Sequence, residues 1–277
     1  MGNIENRVIM ITGAANGIGR LLATRAASLG AAIIACDINQ EQLSNTIGVI
    51  RENGGQAIAV ISDVTVLTDM QRAVQSGIET FGRLDVLVNN AGVLPLSYFS
   101  DHAKAGDAWN RCIDINLKGV LHGISAVYDS MMGQGRGQIV NISSIYGNYP
   151  TQGGAVYGAT KAAINFLSEA LRQETQGKIK VTTVRPTAIP NTGLPASIIN
   201  EAAQTGLMGA NANEMMARVE ALNSGEAKPS WLNANDIEYL MLEPEKLVDQ
   251  ILFTIDQPWG VSISDITIRA SGDVYTV

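Results

Sequence analysis

Val8-Ile9-Met10-Ile11-Thr12-Gly13-Ala14-Ala15-Asn16-Gly17-Ile18-Gly19 runs from an apolar stretch into a glycine-rich turn, and residues 20–29 follow with helical character. A strand feeding a helix through such a turn opens a β-α-β unit. Gly13, Gly17 and Gly19 lack Cβ atoms, so the backbone can turn tightly and approach a pyrophosphate. The helix behind the turn offers free N–H groups and the positive end of its dipole. A purely structural βα turn uses glycines too. Context favours the nucleotide reading, because an acid, Asp37, closes the second strand at 32–36.

Outward from this turn the alternation repeats. Helix-like patterns cover 41–53, 69–81, 109–132, 156–173 and 246–255. Strand-like runs cover 56–62, 84–88, 138–143, 180–184 and 265–268. Repeated β-α-β alternation implies parallel strands with right-handed crossovers. Runs rich in Ile and Val suit strands covered on both faces. The expected fold is α/β: one doubly wound (Rossmann) parallel sheet of about seven strands, helices on both faces, in a single domain over 1–277. Residues 187–240 break the pattern. They are rich in Asn, Ala and Met, with Trp231 and Tyr239, and are too long for a plain connection. A substrate lid is expected there.

Composition narrows the function classes. Across 277 residues, 19 Lys and Arg against 26 Asp and Glu give a formal charge of -7. Such a chain lacks the field that holds nucleic acid. At 46% hydrophobic and 16% charged it can bury a core. Two cysteines, Cys36 and Cys112, make no disulfide scaffold, and with His102 and His122 they show no metal-ligand spacing. No apolar run approaches the roughly 20 residues that span a bilayer. The N-terminal run is too short for a signal peptide, so a cytoplasmic protein without membrane partners is expected.

Two groups carry chemistry. A carboxylate at Asp37 can accept hydrogen bonds from both hydroxyls of an adenine ribose and repels the extra phosphate of NADP. Residues 14–18 and 38–42 hold no Lys or Arg to neutralise that phosphate. The cofactor expected is therefore NAD; the alternative is a solvated strand-end Asp37. Tyr157-Gly158-Ala159-Thr160-Lys161 places a phenol and an ammonium on one helix face. A nearby cation favours the phenolate and suits a Tyr general acid/base. The preceding strand ends in Asn141-Ile142-Ser143-Ser144, at the ligand edge of such a sheet.

These motifs, in this order, resemble the short-chain dehydrogenase/reductase family in its compact single-domain branch, from Val8 to Ile268. The resemblance implies that Gly13, Asn16, Gly17, Ile18 and Gly19 form the cofactor turn, with Asp37 and Ile38 at the ribose. It implies that Asp63 and Val64 hold the adenine, and that Asn89-Asn90-Ala91-Gly92 lines the cofactor ribose. Asn116, Ser144, Tyr157 and Lys161 correspond to the catalytic tetrad. Tyr157 would take the alcohol proton while the carbinol carbon gives hydride to the nicotinamide. Ser144 would steady the substrate oxygen, Lys161 would bond the nicotinamide ribose, and Asn116 would hold a relay water. No metal is required. Pro186 and Ile189 fall beside the nicotinamide, although Thr187 stands where the family has glycine. A homodimer or homotetramer is implied.

The expected activity is NAD-dependent interconversion of a secondary alcohol and a ketone, with a small-molecule substrate that is hydrophobic or aromatic. The expected pocket walls include Val93, Leu94, Leu96, Tyr98 and Tyr146, then Tyr149, Pro150, Thr187, Leu194 and Trp231, with Leu207, Met208, Met215 and Met216 in the lid. Polyol, sugar or short hydroxy acid dehydrogenases of the same family are the alternative. A non-catalytic nucleotide-binding protein is the competing class. Arg185 reads as a structural arginine or as a contact for an anionic substrate.

Overall fold

The computed structural model describes residues 2–190 and 192–274. Its centre is a seven-stranded sheet in the order β3-β2-β1-β4-β5-β6-β7. The strands are β1 Val8–Thr12, β2 Ala32–Asp37, β3 Gln56–Ile61, β4 Val86–Asn89, β5 Gly137–Ile142, β6 Ile179–Pro186 and β7 Asp265–Ile268. Every neighbouring pair is parallel. The helices are α1 Gly17–Ser28, α2 Gln40–Glu52, α3 Leu67–Phe81, α4 His102–Cys112 and α5 Gly119–Gln134. After them come α6 Ala155–Glu174, α7 Ala202–Met208, α8 Ala212–Ser224 and α9 Pro244–Ile255. The doubly wound expectation therefore holds.

Strand alternation sorts the side chains into two cores. Ile9 and Ile11 of β1 join Ile33 of β2 and Val86 and Val88 of β4 beneath Leu22 of α1 and Ile251 of α9. Val8, Met10, Ile34 and Leu87 point the other way, against Met70 of α3, Val127 of α5 and Ile164 of α6. Leu87 is fully buried, so Leu87→Ala is expected to cost roughly 2–5 kcal/mol. At Gly77 of α3 a Cβ would run into Ile34, which is why that helix lies close to the sheet.

Two segments differ from the pattern read in the sequence. The single helix expected over 109–132 is α4 and α5 joined by a π-helical turn, Ile113–Lys118. That turn keeps the chain helical, so apolar spacing does not announce it. The irregular stretch expected over 187–240 contains α7 and α8. Each seats few side chains: α7 buries Ala203 and Leu207, α8 only Met215. A helix with so narrow an apolar face leaves a weak periodic signal. No helix among the described residues is long and apolar enough to cross a membrane.

Candidate active site

The strand order reverses between β1 and β4, and crevices of doubly wound sheets open at that point beyond the carboxyl ends of the strands. A cleft of about 650 Å³ lies there. Gly13, Asn16, Gly17 and Ile18 form one wall. Gly13 and Gly17 have φ of +68° and +50°, a left-handed conformation that favours glycine. A Cβ on Gly13 would also lie 3.0 Å from Ala91 Cα and Asn90 Nδ2. Gly19 is not on the wall. A Cβ there would overlap the Gly13 carbonyl oxygen, so this glycine seats α1 against the turn.

Asp37, Ile38, Asp63 and Val64 continue the wall. Asp37 Oδ2 accepts from Ala15 N at 3.0 Å and Oδ1 from Asn39 N at 2.9 Å. These bonds fix the carboxylate, and each oxygen retains a lone pair for a ligand. Asp63 Oδ1 takes Thr65 N and Thr65 Oγ1 at 2.8 and 2.7 Å. Asn90 donates to Thr12 O at 2.9 Å, which ties the loop after β4 to the end of β1, and Ala91 and Gly92 follow it on the wall. Asn89 is a correction. It is buried behind the cleft, donates to Asn141 Oδ1 at 2.8 Å, and packs where Gly123 leaves room. Pro186 and Ile189 reach the wall with Thr187 and Ala188, and Thr187 N donates to Ile268 O at 3.1 Å. Threonine is accommodated in the position expected of glycine, because its backbone simply extends the β6–β7 ladder.

Ser144 sits at the exit of β5, where its Oγ accepts from Tyr146 N at 3.2 Å. Tyr157 and Lys161 come from adjacent turns of α6, and all three side chains are on the cleft wall. Lys161 Nζ lies 5.6 Å from the Tyr157 ring centre and donates to Ile142 O at 2.7 Å. Burial pushes the Tyr157 hydroxyl up to about 12, and a hydrogen bond with Ser144 opposes that rise. Burial draws the Lys161 ammonium down to about 8. Desolvation dominates at Tyr157, and the Ser144 hydrogen bond is what counteracts it.

Asn116 departs further from expectation. It lies in the π-helical turn, fully buried and off the cleft wall. Its Oδ1 accepts from Val93 N and its Nδ2 donates to Val93 O, both at 2.9 Å. The amide thus pairs with both backbone groups of one residue, Val93, and positions the loop after β4, while its Nδ2 also lies 3.4 Å from Thr160 Oγ1 on α6.

Of the residues expected to contact a substrate, Val93, Leu94, Leu96, Tyr146, Thr187 and Leu194 line the cleft, with Leu207 and Met208 from α7. Six expected wall residues lie elsewhere. The Tyr98 hydroxyl donates to Ala202 O at 3.0 Å, and Tyr149 and Pro150 are exposed. Trp231 is flanked by Arg218 and Lys228, 5.5 and 5.7 Å from its ring. Met215 and Met216 are also off the wall. Ile198 and Gln204 line the cleft without having been singled out, since one polar residue in an irregular stretch carries no periodic signal. Arg185 forms an ion pair with Asp265 at 2.7 Å, in keeping with its structural reading.

Residues 7–203 match the family model for short chain dehydrogenase. The chain belongs to the short-chain dehydrogenase family. It is 34% identical over 268 residues to an uncharacterized oxidoreductase of Listeria monocytogenes, covering 96% of each chain. It is 34% identical over 261 residues to the 2,5-dichloro-2,5-cyclohexadiene-1,4-diol dehydrogenase of Sphingobium indicum, covering 94% of this chain and 98% of the relative. Among solved structures, a 7α-hydroxysteroid dehydrogenase complexed with NADH shares the fold, with a TM-score of 0.77 at 23% identity over 99% of this chain and 97% of the other. The protein is thus an oxidoreductase of a family that uses nicotinamide cofactors, and the residues present fit one: the Gly13, Asn16, Gly17 and Ile18 turn and the fixed Asp37 carboxylate line the same cleft.

Proposed function

We propose that this short-chain dehydrogenase interconverts a hydrophobic secondary alcohol and its ketone with NAD, using Tyr157 as general acid/base. The observation that carries the reading is the meeting of Ser144, Tyr157 and Lys161 at one end of a cleft whose other end is the Gly13–Gly17 turn closed by Asp37. Gly13, Gly17 and the first turn of α1 would hold the pyrophosphate, Asp37 the adenine ribose, and Lys161 the nicotinamide ribose. The bound cofactor supplies the carbon that accepts or returns hydride.

The side chains do the rest. Tyr157 holds or releases a proton at the carbinol oxygen. Ser144 donates a hydrogen bond to that oxygen and limits where the substrate can sit. Leu94, Leu96, Leu194 and Leu207 exclude water from the reacting carbon. NAD is favoured over NADP because the Asp37 carboxylate would face the additional phosphate with no neighbouring cation in 14–18 or 38–42. The diol dehydrogenase relative is named for a ring alcohol, which supports a cyclic or bulky apolar substrate.

The test is turnover followed by NADH absorbance, with NAD and NADP each paired with aryl carbinols, cyclic diols, terpene and steroid alcohols, polyols and 3-hydroxy acids. NAD-dependent oxidation of the apolar alcohols is expected. A preference for NADP overturns the Asp37 argument, and activity confined to polyols or hydroxy acids overturns the apolar substrate.

A further inference from the structure

β5 delivers Ser144 while α6 delivers Tyr157 and Lys161, so their mutual placement depends on how the strand exit is seated on the helix. Part of that seating is backbone on backbone: a Cβ on Gly147 would lie 2.7 Å from the Lys161 carbonyl carbon. Part is the bond from Lys161 Nζ to Ile142 O at 2.7 Å. The remaining ties converge on one side chain outside the cleft wall, Asn165, one turn beyond Lys161.

Asn165 Oδ1 accepts from Ser143 Oγ at 2.7 Å and from Arg185 Nε at 3.3 Å. Asn165 Nδ2 donates to Asn148 Oδ1 at 3.1 Å. Ser143 Oγ also reaches Lys161 O at 3.1 Å. The amide therefore grips the 143–148 segment at both ends, directly before Ser144 and directly after the turn that Ser144 opens. Through Arg185, itself paired with Asp265, it also holds β6, whose next residues Pro186 and Thr187 reach the cleft. Only an amide accepts two donors on one atom and donates from another in the same plane. A carboxylate keeps the accepting arm, and a methyl keeps neither.

We propose that Asn165 is a positioning residue that sets the Ser144 hydroxyl, and with it the β6 exit, against Tyr157. The proposal rests on the reading of Tyr157 as the acid/base. A small displacement of groups that must align for proton and hydride transfer lowers kcat far more than it lowers binding.

The test compares Asn165→Ala, Asn165→Asp and Asn148→Ala with the full-length wild type for kcat, KM, NADH affinity by fluorescence and melting temperature. Asn165→Ala is expected to lower kcat by roughly 10- to 100-fold, with KM and NADH affinity changed by less than about threefold. Asn165→Asp, which still accepts from Ser143 and Arg185, is expected to recover most of that loss. Asn148→Ala, which removes only the exposed arm, is expected to cost about threefold. A folded Asn165→Ala with wild-type kcat overturns the proposal, as does an equal loss in the Ala and Asp variants. If Asn165→Ala does not fold, wild-type kcat in both other variants overturns it. Turnover that survives Tyr157→Phe overturns the underlying acid/base reading; loss there with an unaffected Asn165→Ala overturns this proposal alone.

Discussion

The cofactor wall and the lid face each other across one cleft but are held by different means. At Gly13 and Gly19 backbone meets backbone with no space for a methyl group, and the strands behind them are fully buried. Overfilling such contacts costs about 1–3 kcal/mol or more. The start of the lid is tied by separate hydrogen bonds: Leu94 N to Ser197 Oγ at 2.7 Å, Asn200 Nδ2 to Asp101 Oδ2 at 2.8 Å, and the Tyr98 hydroxyl to Ala202 O at 3.0 Å. Each is a single bond that water can replace. The molecule thus closes its cleft with a wall that cannot yield on the glycine-turn side and with one held by separable bonds on the other. Substitutions in the first region are expected to act on kcat and folding, and those in the second on KM.

The strongest challenge to that division is Tyr157→Phe, which is expected to lower turnover by roughly 10²- to 10⁴-fold while NADH fluorescence titration shows binding retained. Gly19→Ala should follow. Collision with the Gly13 carbonyl is expected to lower the melting temperature by several degrees and weaken NADH binding, read by calorimetry and titration. The pH dependence sharpens the comparison within the rigid wall. Because burial pushes Tyr157 up to about 12, alcohol oxidation, which needs the phenolate, is expected to rise with pH through the neutral and alkaline range. Ketone reduction, which needs the phenol, should not rise with it; initial rates in both directions check the sign. Asp37→Ala is expected to narrow the NAD-to-NADP ratio of kcat/KM by about tenfold, the loss of one close charge contact. Smallest is the lid: Asp101→Asn is expected to raise KM about two- to threefold with kcat and melting temperature nearly unchanged. A large fall in kcat there would erase the distinction between the two walls.

The same division governs what could be read from the amino acids. Strand β7, Asp265–Ile268, falls where its apolar run was read, and the glycine turn sits at the switch point, because short buried strands and left-handed turns restrict composition locally. Ser144, Tyr157 and Lys161 were legible for the same reason, being fixed by a strand end and a helix spacing. A motif does not say which of its members faces inward: Gly19 and Asn89 sit beside residues of the wall but pack behind it. Trp231, in the stretch over 187–240, and Tyr149, between β5 and α6, show the limit. Their apolar character suggested a wall, but side-chain direction in an irregular segment follows from docking that no periodicity encodes. Gln204 escaped for the converse reason, as a polar residue whose place on the wall depends on where α7 lands.

Cys112, Asn116, Val120 and Ile124 recur every fourth residue and are all buried. On an ordinary helix of 3.6 residues per turn, three such steps drift by about 120°, enough to carry the last residue off the face of the first. The wider turn over Ile113–Lys118 absorbs part of that drift. One rod can then aim Asn116 at Val93 near its upper end and Val127 at the sheet near its lower end. The turn behaves as a phase shifter between two gears. Removing any one residue from it would leave a straighter, more regular helix whose halves no longer mesh with their separate partners.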